Sequence, residues 1–177
     1  MKNKEIKPVW FWISHALVIV WMIVIFSFSA QPGEESADLS GSVSHLVMTL
    51  WNRIFGLGWD EAKVLAMTEL WDFPIRKLAH MTEFGILAVL IFASTKSYVK
   101  IKTIKHRYII AWFVAVCYAG TDEFHQLFVP GRSGNLIDVC VDATGITIAL
   151  LLTFGAMHVW QKYNLGIRKR ESCGRIR

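Results

Sequence analysis

The chain has 177 residues, enough for one domain; 54% are hydrophobic and 19% charged, with eight Trp and eleven Phe. Soluble domains carry nearer a quarter charged residues, so this balance and a mean hydropathy of +0.39 exclude an ordinary soluble globule and point to a small integral membrane protein. The formal net charge of +5 does not imply a nucleic-acid partner, because the basic residues cluster beside apolar runs, as membrane flanks do.

The N-terminus carries Lys2, Lys4 and Lys7, and residues 9–28 then run without a charge. That length crosses about 30 Å of hydrocarbon as a helix. A cleaved signal peptide fits less well: the run is longer than an h-region, and Phe28 sits badly before Ser29 and Ala30. Gln31-Pro32-Gly33 is turn chemistry. An outer amphipathic segment, 34–73, follows. Val43, Leu46, Val47, Leu50 and Ile54 mark one face of a helix that Gly56 and Gly58 interrupt. Asp60 suits the N-cap of a second short helix over 61–71. Pro74 fits the first turn of a span over 75–94. A basic loop with Lys96, Lys100, Lys102, Lys105 and Arg107 leads to a third span over 108–127. Pro130-Gly131 makes a turn, a fourth span covers 136–160, and the tail 161–177 is basic.

The expected fold is therefore a single all-α membrane domain over 1–177, with four transmembrane helices and short amphipathic helices in the first extracytoplasmic loop. Four spans place both termini on one side. The termini and the middle loop hold 14 of the 19 Lys and Arg, so the positive-inside rule puts both ends in the cytoplasm. Cys117 and Cys140 read as small apolar fillers and Cys173 as a free tail thiol.

In that topology three separate segments bring polar groups to one depth near the outer surface. His80 and Glu83 come from the second span, Asp122, Glu123, His125 and Gln126 from the third, and Asp138 and Asp142 from the fourth; Arg132 lies in the last loop. Ionisable groups in spans are costly and face a bundle interior or a watery cavity, so these nine residues are the candidate ligand-binding set of an outward-facing polar pocket. Asp138, Asp142, Gly145 and Ala149 share one helical face. Small-residue packing accounts for Gly145 and Ala149 and leaves the two acids unexplained. Carboxylates one turn apart can hold a divalent cation, which makes Asp138, Asp142, Glu123 and His125 the candidate metal ligands, although the acids can equally anchor arginines. Arg132 can clamp a phosphate or carboxylate or pair internally with Asp138 or Glu123. His125 and Glu83 are the candidates for a general acid or base, while a plain hydrogen bond is the alternative for His80 and His125. No nucleophile motif is present: Ser133, between Gly131 and Gly134, is not a G-x-S-x-G elbow.

Four stretches resemble the VanZ-like family of bacterial membrane proteins: Phe28-Ser29-Ala30-Gln31-Pro32-Gly33, residues 76–84 around His80 and Glu83, residues 122–132 from Asp122 to Arg132, and Asp138 through Asp142 to Gly145. The family takes its name from a teicoplanin-resistance accessory protein, so the resemblance implies an antibiotic-resistance or cell-envelope role in a bacterial membrane. Three functions follow as expectations. The first is an accessory or binding protein for a cell-envelope ligand, such as a lipid-linked precursor, a lipid headgroup or a lipoglycopeptide. The second is a metal-dependent membrane enzyme acting on envelope lipid phosphates, with a divalent cation as cofactor. The third is a proton-coupled lipid transporter, which the scarcity of polar residues in the inner halves of the spans disfavours. Membrane lipids are the expected partners, and oligomerisation is left open.

Overall fold

In the computed structural model, which describes residues 8–98, 101 and 103–174, every regular element among the described residues is helical. The order is α1 (Pro8–Ser29), α2 (Gly33–Phe55), α3 (Glu61–Ser94) running into a 3-10 turn (Thr95–Ser97), α4 (Ile104–Gln126) and α5 (Leu136–Gly174). Among the described residues, three helices are long and apolar enough to cross a membrane: Val9–Ser29, Glu61–Ser97 and Leu136–Asn164. α4, which contains Lys105, Arg107, Asp122 and Glu123, is not among them by composition, yet it packs against both α3 and α5. Lys2, Lys4, Lys7, Lys100, Lys102, Arg175 and Arg177 lie outside the described residues, as do the side chains of Arg168, Lys169, Arg170 and Cys173.

α1, α3, α4 and α5 share one core. Phe84, Leu87 and Ala88 of α3 meet Ala111, Ala115 and Ala119 of α4 and Ile146 and Leu150 of α5. The alanines recur every fourth residue and put a small-residue face on α4. α3 and α5 come close enough that a Cβ on Gly145 would overlap the backbone of Met81. In lipid, where hydrocarbon outside matches hydrocarbon inside, such backbone proximity supplies the packing that holds helices together. α1 is tied in by two polar contacts: Trp21 Nε1 donates to the Glu83 carbonyl at 2.9 Å and Tyr118 Oη to the Met22 carbonyl at 2.7 Å. Cys117 and Cys140 are free and exposed rather than interior fillers.

Four helix assignments differ from the sequence expectation. The short helix at 61–71 and the span at 75–94 are one helix, with Pro74 inside it. A proline there forfeits one backbone hydrogen bond, a cost that membrane helices tolerate when other groups re-satisfy the backbone. Across the proline, Arg76 Nη2 donates to Asp72 Oδ2 at 2.6 Å, an i,i+4 ion pair that fits unbroken helical register. At 1.5 Å per residue, α3 is about 51 Å long, well beyond a 30 Å hydrocarbon layer, so its first turns extend past the shared core, where α2 packs on them. α2 is also not a short helix. It begins at Gly33, right after the turn, because Ser40 and Ser44, one turn apart, both donate to Asp72 Oδ1 at 2.7 and 2.8 Å. Tertiary bonds thus carry a Ser- and Gly-rich stretch of low helix propensity. α4 starts at Ile104 rather than 108, and α5 continues past 160 to Gly174 as one helix. The remaining punctuation follows the sequence: Gly56 and Gly58 take positive φ of 60° and 67°, and Asp60 accepts from the Lys63 N–H at 2.8 Å as the α3 cap.

Candidate functional site

The site lies at the end of the bundle where α1 stops. Two loops meet there. The Gly33 N–H donates to the Pro130 carbonyl at 2.9 Å, and a Cβ on Gly33 would overlap the Gly131 carbonyl. Gly131 itself needs a positive φ of 73°. From this junction Arg132 reaches back to α1. Its Nε donates to the Gln31 carbonyl at 3.1 Å and its Nη2 to the Phe28 carbonyl at 2.9 Å. Arg132 is therefore a clamp on the exposed carbonyls at a helix C-terminus, where a cation is favourable, and it makes no ion pair with Asp138 or Glu123. Burial and the neighbouring Arg76 charge push its guanidinium down from its ordinary value.

Two cavities adjoin behind the clamp, and Arg76, His80 and Arg132 line both. The first, of about 290 Å³, lies among α1, α2 and α3. Ile25, Phe28, Leu39, Val43 and Ile75 are its apolar lining, and Glu83 and Asp122 also border it. Asp122 is 4% exposed. Its Oδ2 accepts from Gln126 Nε2 at 3.0 Å, whereas Oδ1 and the Oγ of neighbouring Ser29 are each buried without a hydrogen-bond partner. Arg76 is held by Asp72 through Nη2, and its Nε is buried without a partner.

The second cavity, of about 210 Å³, lies between α3 and the ends of α4 and α5. It takes in Lys77, Glu123, Gln126, Asp138 and Asp142. Lys77 Nζ sits 2.6 Å from Asp138 Oδ1, so the partner of Asp138 is a lysine from α3 rather than Arg132. Glu123 Oε2 accepts from the Asn135 N–H at 2.9 Å. Asp142, 2% exposed, makes no hydrogen bond or ion pair among the described residues.

Eight of the nine candidate residues therefore border one cavity or the other. His125 borders neither; its ring packs on Phe26 with centroids 4.6 Å apart, and its Nδ1 is buried without a partner. Among the described residues, no three His, Cys, Asp or Glu side chains converge as a metal ion requires. Asp138, Asp142 and Glu123 border the second cavity together, with Asp138 paired to Lys77 and Glu123 accepting from the Asn135 N–H, while His125 stands apart against Phe26. Sequence reasoning passed over three contributors: Lys77, Asp72 and Ser29. The spacing of Asp72 and Arg76 across Pro74 was the available signal for the second.

The family model described as VanZ/LLP1 matches residues 14–158, most of the chain and all of both cavities. The chain belongs to this family. No curated protein and no solved structure matches. As a VanZ-like membrane protein it gives its motif stretches concrete duties. Phe28 to Gly33 supplies the carbonyls and the glycine that the 129–132 turn docks on. Residues 76–84 supply the wall common to the two cavities.

Proposed function

We propose that this VanZ-like protein is an accessory or binding protein for an anionic amphiphile of the cell envelope, held in the first cavity. One observation carries the reading. A single cavity sets the cationic and polar groups of Arg76, Arg132 and His80 against the apolar wall of Ile25, Phe28, Leu39, Val43 and Ile75. Guanidiniums suit phosphate or carboxylate. The apolar wall continues along α2 through exposed Leu46, Leu50 and Ile54, on the same helical face as Leu39 and Val43, which suits an acyl chain. A lipid headgroup, a lipid-linked wall precursor and a lipoglycopeptide all share this chemistry. The last would connect the family with teicoplanin resistance.

In this reading α1, the later part of α3, α4 and α5 cross the membrane, both termini face the cytoplasm, and the cavity end faces outward. The Lys and Arg distribution supports that orientation. The test is native mass spectrometry of the detergent-purified chain with phosphatidylglycerol. Stoichiometric retention, weakened by Arg76→Gln without chemical change to the lipid, is expected. Absence of retention, or turnover of the lipid, contradicts the reading.

A further inference from the structure

Three carboxylates, Glu123, Asp138 and Asp142, line the second cavity with Lys77, Arg76 and Arg132. Lys77 pairs with Asp138 and Arg76 with Asp72, whereas Arg132 bonds only the neutral carbonyls of Phe28 and Gln31 and keeps its charge. Glu123 has one backbone N–H. Asp142, near Glu123, Asp122, Asp138 and the Lys77 ammonium, makes no hydrogen bond or ion pair among the described residues and is 2% exposed, lining the cavity. A carboxylate removed from water without a partner is costly, and buried Asp is ordinarily paired.

We propose that the second cavity receives a primary ammonium group against Asp142 and Glu123, so that the ligand is a zwitterionic lipid whose phosphate rests at Arg76, His80 and Arg132. The inference rests on the amphiphile reading above and narrows it. The shared wall of Arg76, His80 and Arg132 puts an anion position directly beside the ammonium position, as in an aminoalkyl phosphate headgroup. About 210 Å³ is ample for such an arm, given the roughly 30 Å³ share of one water. Carboxylate oxygens accept N–H donors, which favours a primary amine. A quaternary ammonium is instead recognised by aromatic cages, and the lining contains a single aromatic side chain, Phe73. A divalent cation fits less well, since Asp138 is occupied by Lys77 and no three metal-ligating side chains converge among the described residues.

The experiment is native mass spectrometry of the full chain in detergent with three lipids of identical acyl chains: phosphatidylethanolamine, phosphatidylcholine and phosphatidylglycerol. Wild type is expected to retain phosphatidylethanolamine about tenfold more tightly than the other two, the scale of one charge-assisted hydrogen bond. Asp142→Asn, nearly isosteric, is expected to erase that preference. If phosphatidylglycerol binds wild type as tightly as phosphatidylethanolamine, the ammonium site is wrong and the amphiphile reading stands. If no phospholipid is retained, both fall. An Asp142→Asn protein that keeps the full preference also overturns the assignment. The wild-type comparison decides the matter even if the variant fails to fold.

Discussion

The Arg132 guanidinium donates to the carbonyl of Phe28 at 2.9 Å, joining the loop after α4 to the last turn of α1. With the second bond to Gln31, it closes the end of the bundle that holds both cavities. Arg132→Ala is expected to lower stability by about 1–3 kcal/mol, the range for hydrogen bonds from a charged donor, read as a fall in Tm in detergent. Arg132→Lys keeps the charge but not the fork, and is expected to fall between the two. An unchanged Tm in Arg132→Ala would mean the clamp contributes nothing.

Two glycines give opposite expectations. A Cβ at Gly33 would overlap the Gly131 carbonyl, whereas one at Gly120, inside α4, would meet nothing within 4 Å. Gly33→Ala should destabilise by about 1–3 kcal/mol through overpacking. Gly120→Ala should stabilise by about 0.5–1 kcal/mol through helix propensity. Thermal unfolding of the two variants beside wild type checks both signs.

These glycines also show what the sequence makes legible. Apolar length marked α1 and α5, Asp60 marked the start of α3, and Gly56 and Gly58 marked the end of α2, because each acts through local chemistry. The unbroken α3 was not legible, since Pro74 is as compatible with a first turn as with an interior position; what decides is the Asp72–Arg76 pair together with Ser40 and Ser44 from another helix. For the site, polar residues inside apolar runs identified which side chains to consider. They could not assign partners. Asp138 had an arginine in the adjacent loop, yet its partner is Lys77, which α3 delivers from 61 residues away in the chain.

Asp72 joins α2, α3 and Arg76, so Asp72→Ala should free α2 while sparing the core of α1, α3, α4 and α5. Amide hydrogen exchange across residues 33–55 is expected to rise at least several-fold, as local opening separates from global unfolding, with little change at Phe84 to Leu87. Equal acceleration in both regions would show that α2 is not an independent unit.

The Lys77–Asp138 pair is partly exposed, with side-chain exposures of 24% and 26%. Its loss should therefore cost more than a surface pair and less than a buried one, about 1–2 kcal/mol for Lys77→Met. Lys77→Met/Asp138→Asn is expected to recover part of that, because the orphaned carboxylate is removed. A double variant as unstable as the sum of the two singles would show that the ion pair itself carries no coupling.

The most direct measurement of the central claim is lipid retention by the purified chain in native mass spectrometry, comparing wild type with Arg76→Gln/His80→Ala. The two cavities share these side chains, and the account predicts one tightly held anionic or zwitterionic phospholipid in wild type and a loss of about tenfold or more in the folded double variant. Equal retention by both proteins, each with a cooperative unfolding transition, would contradict it.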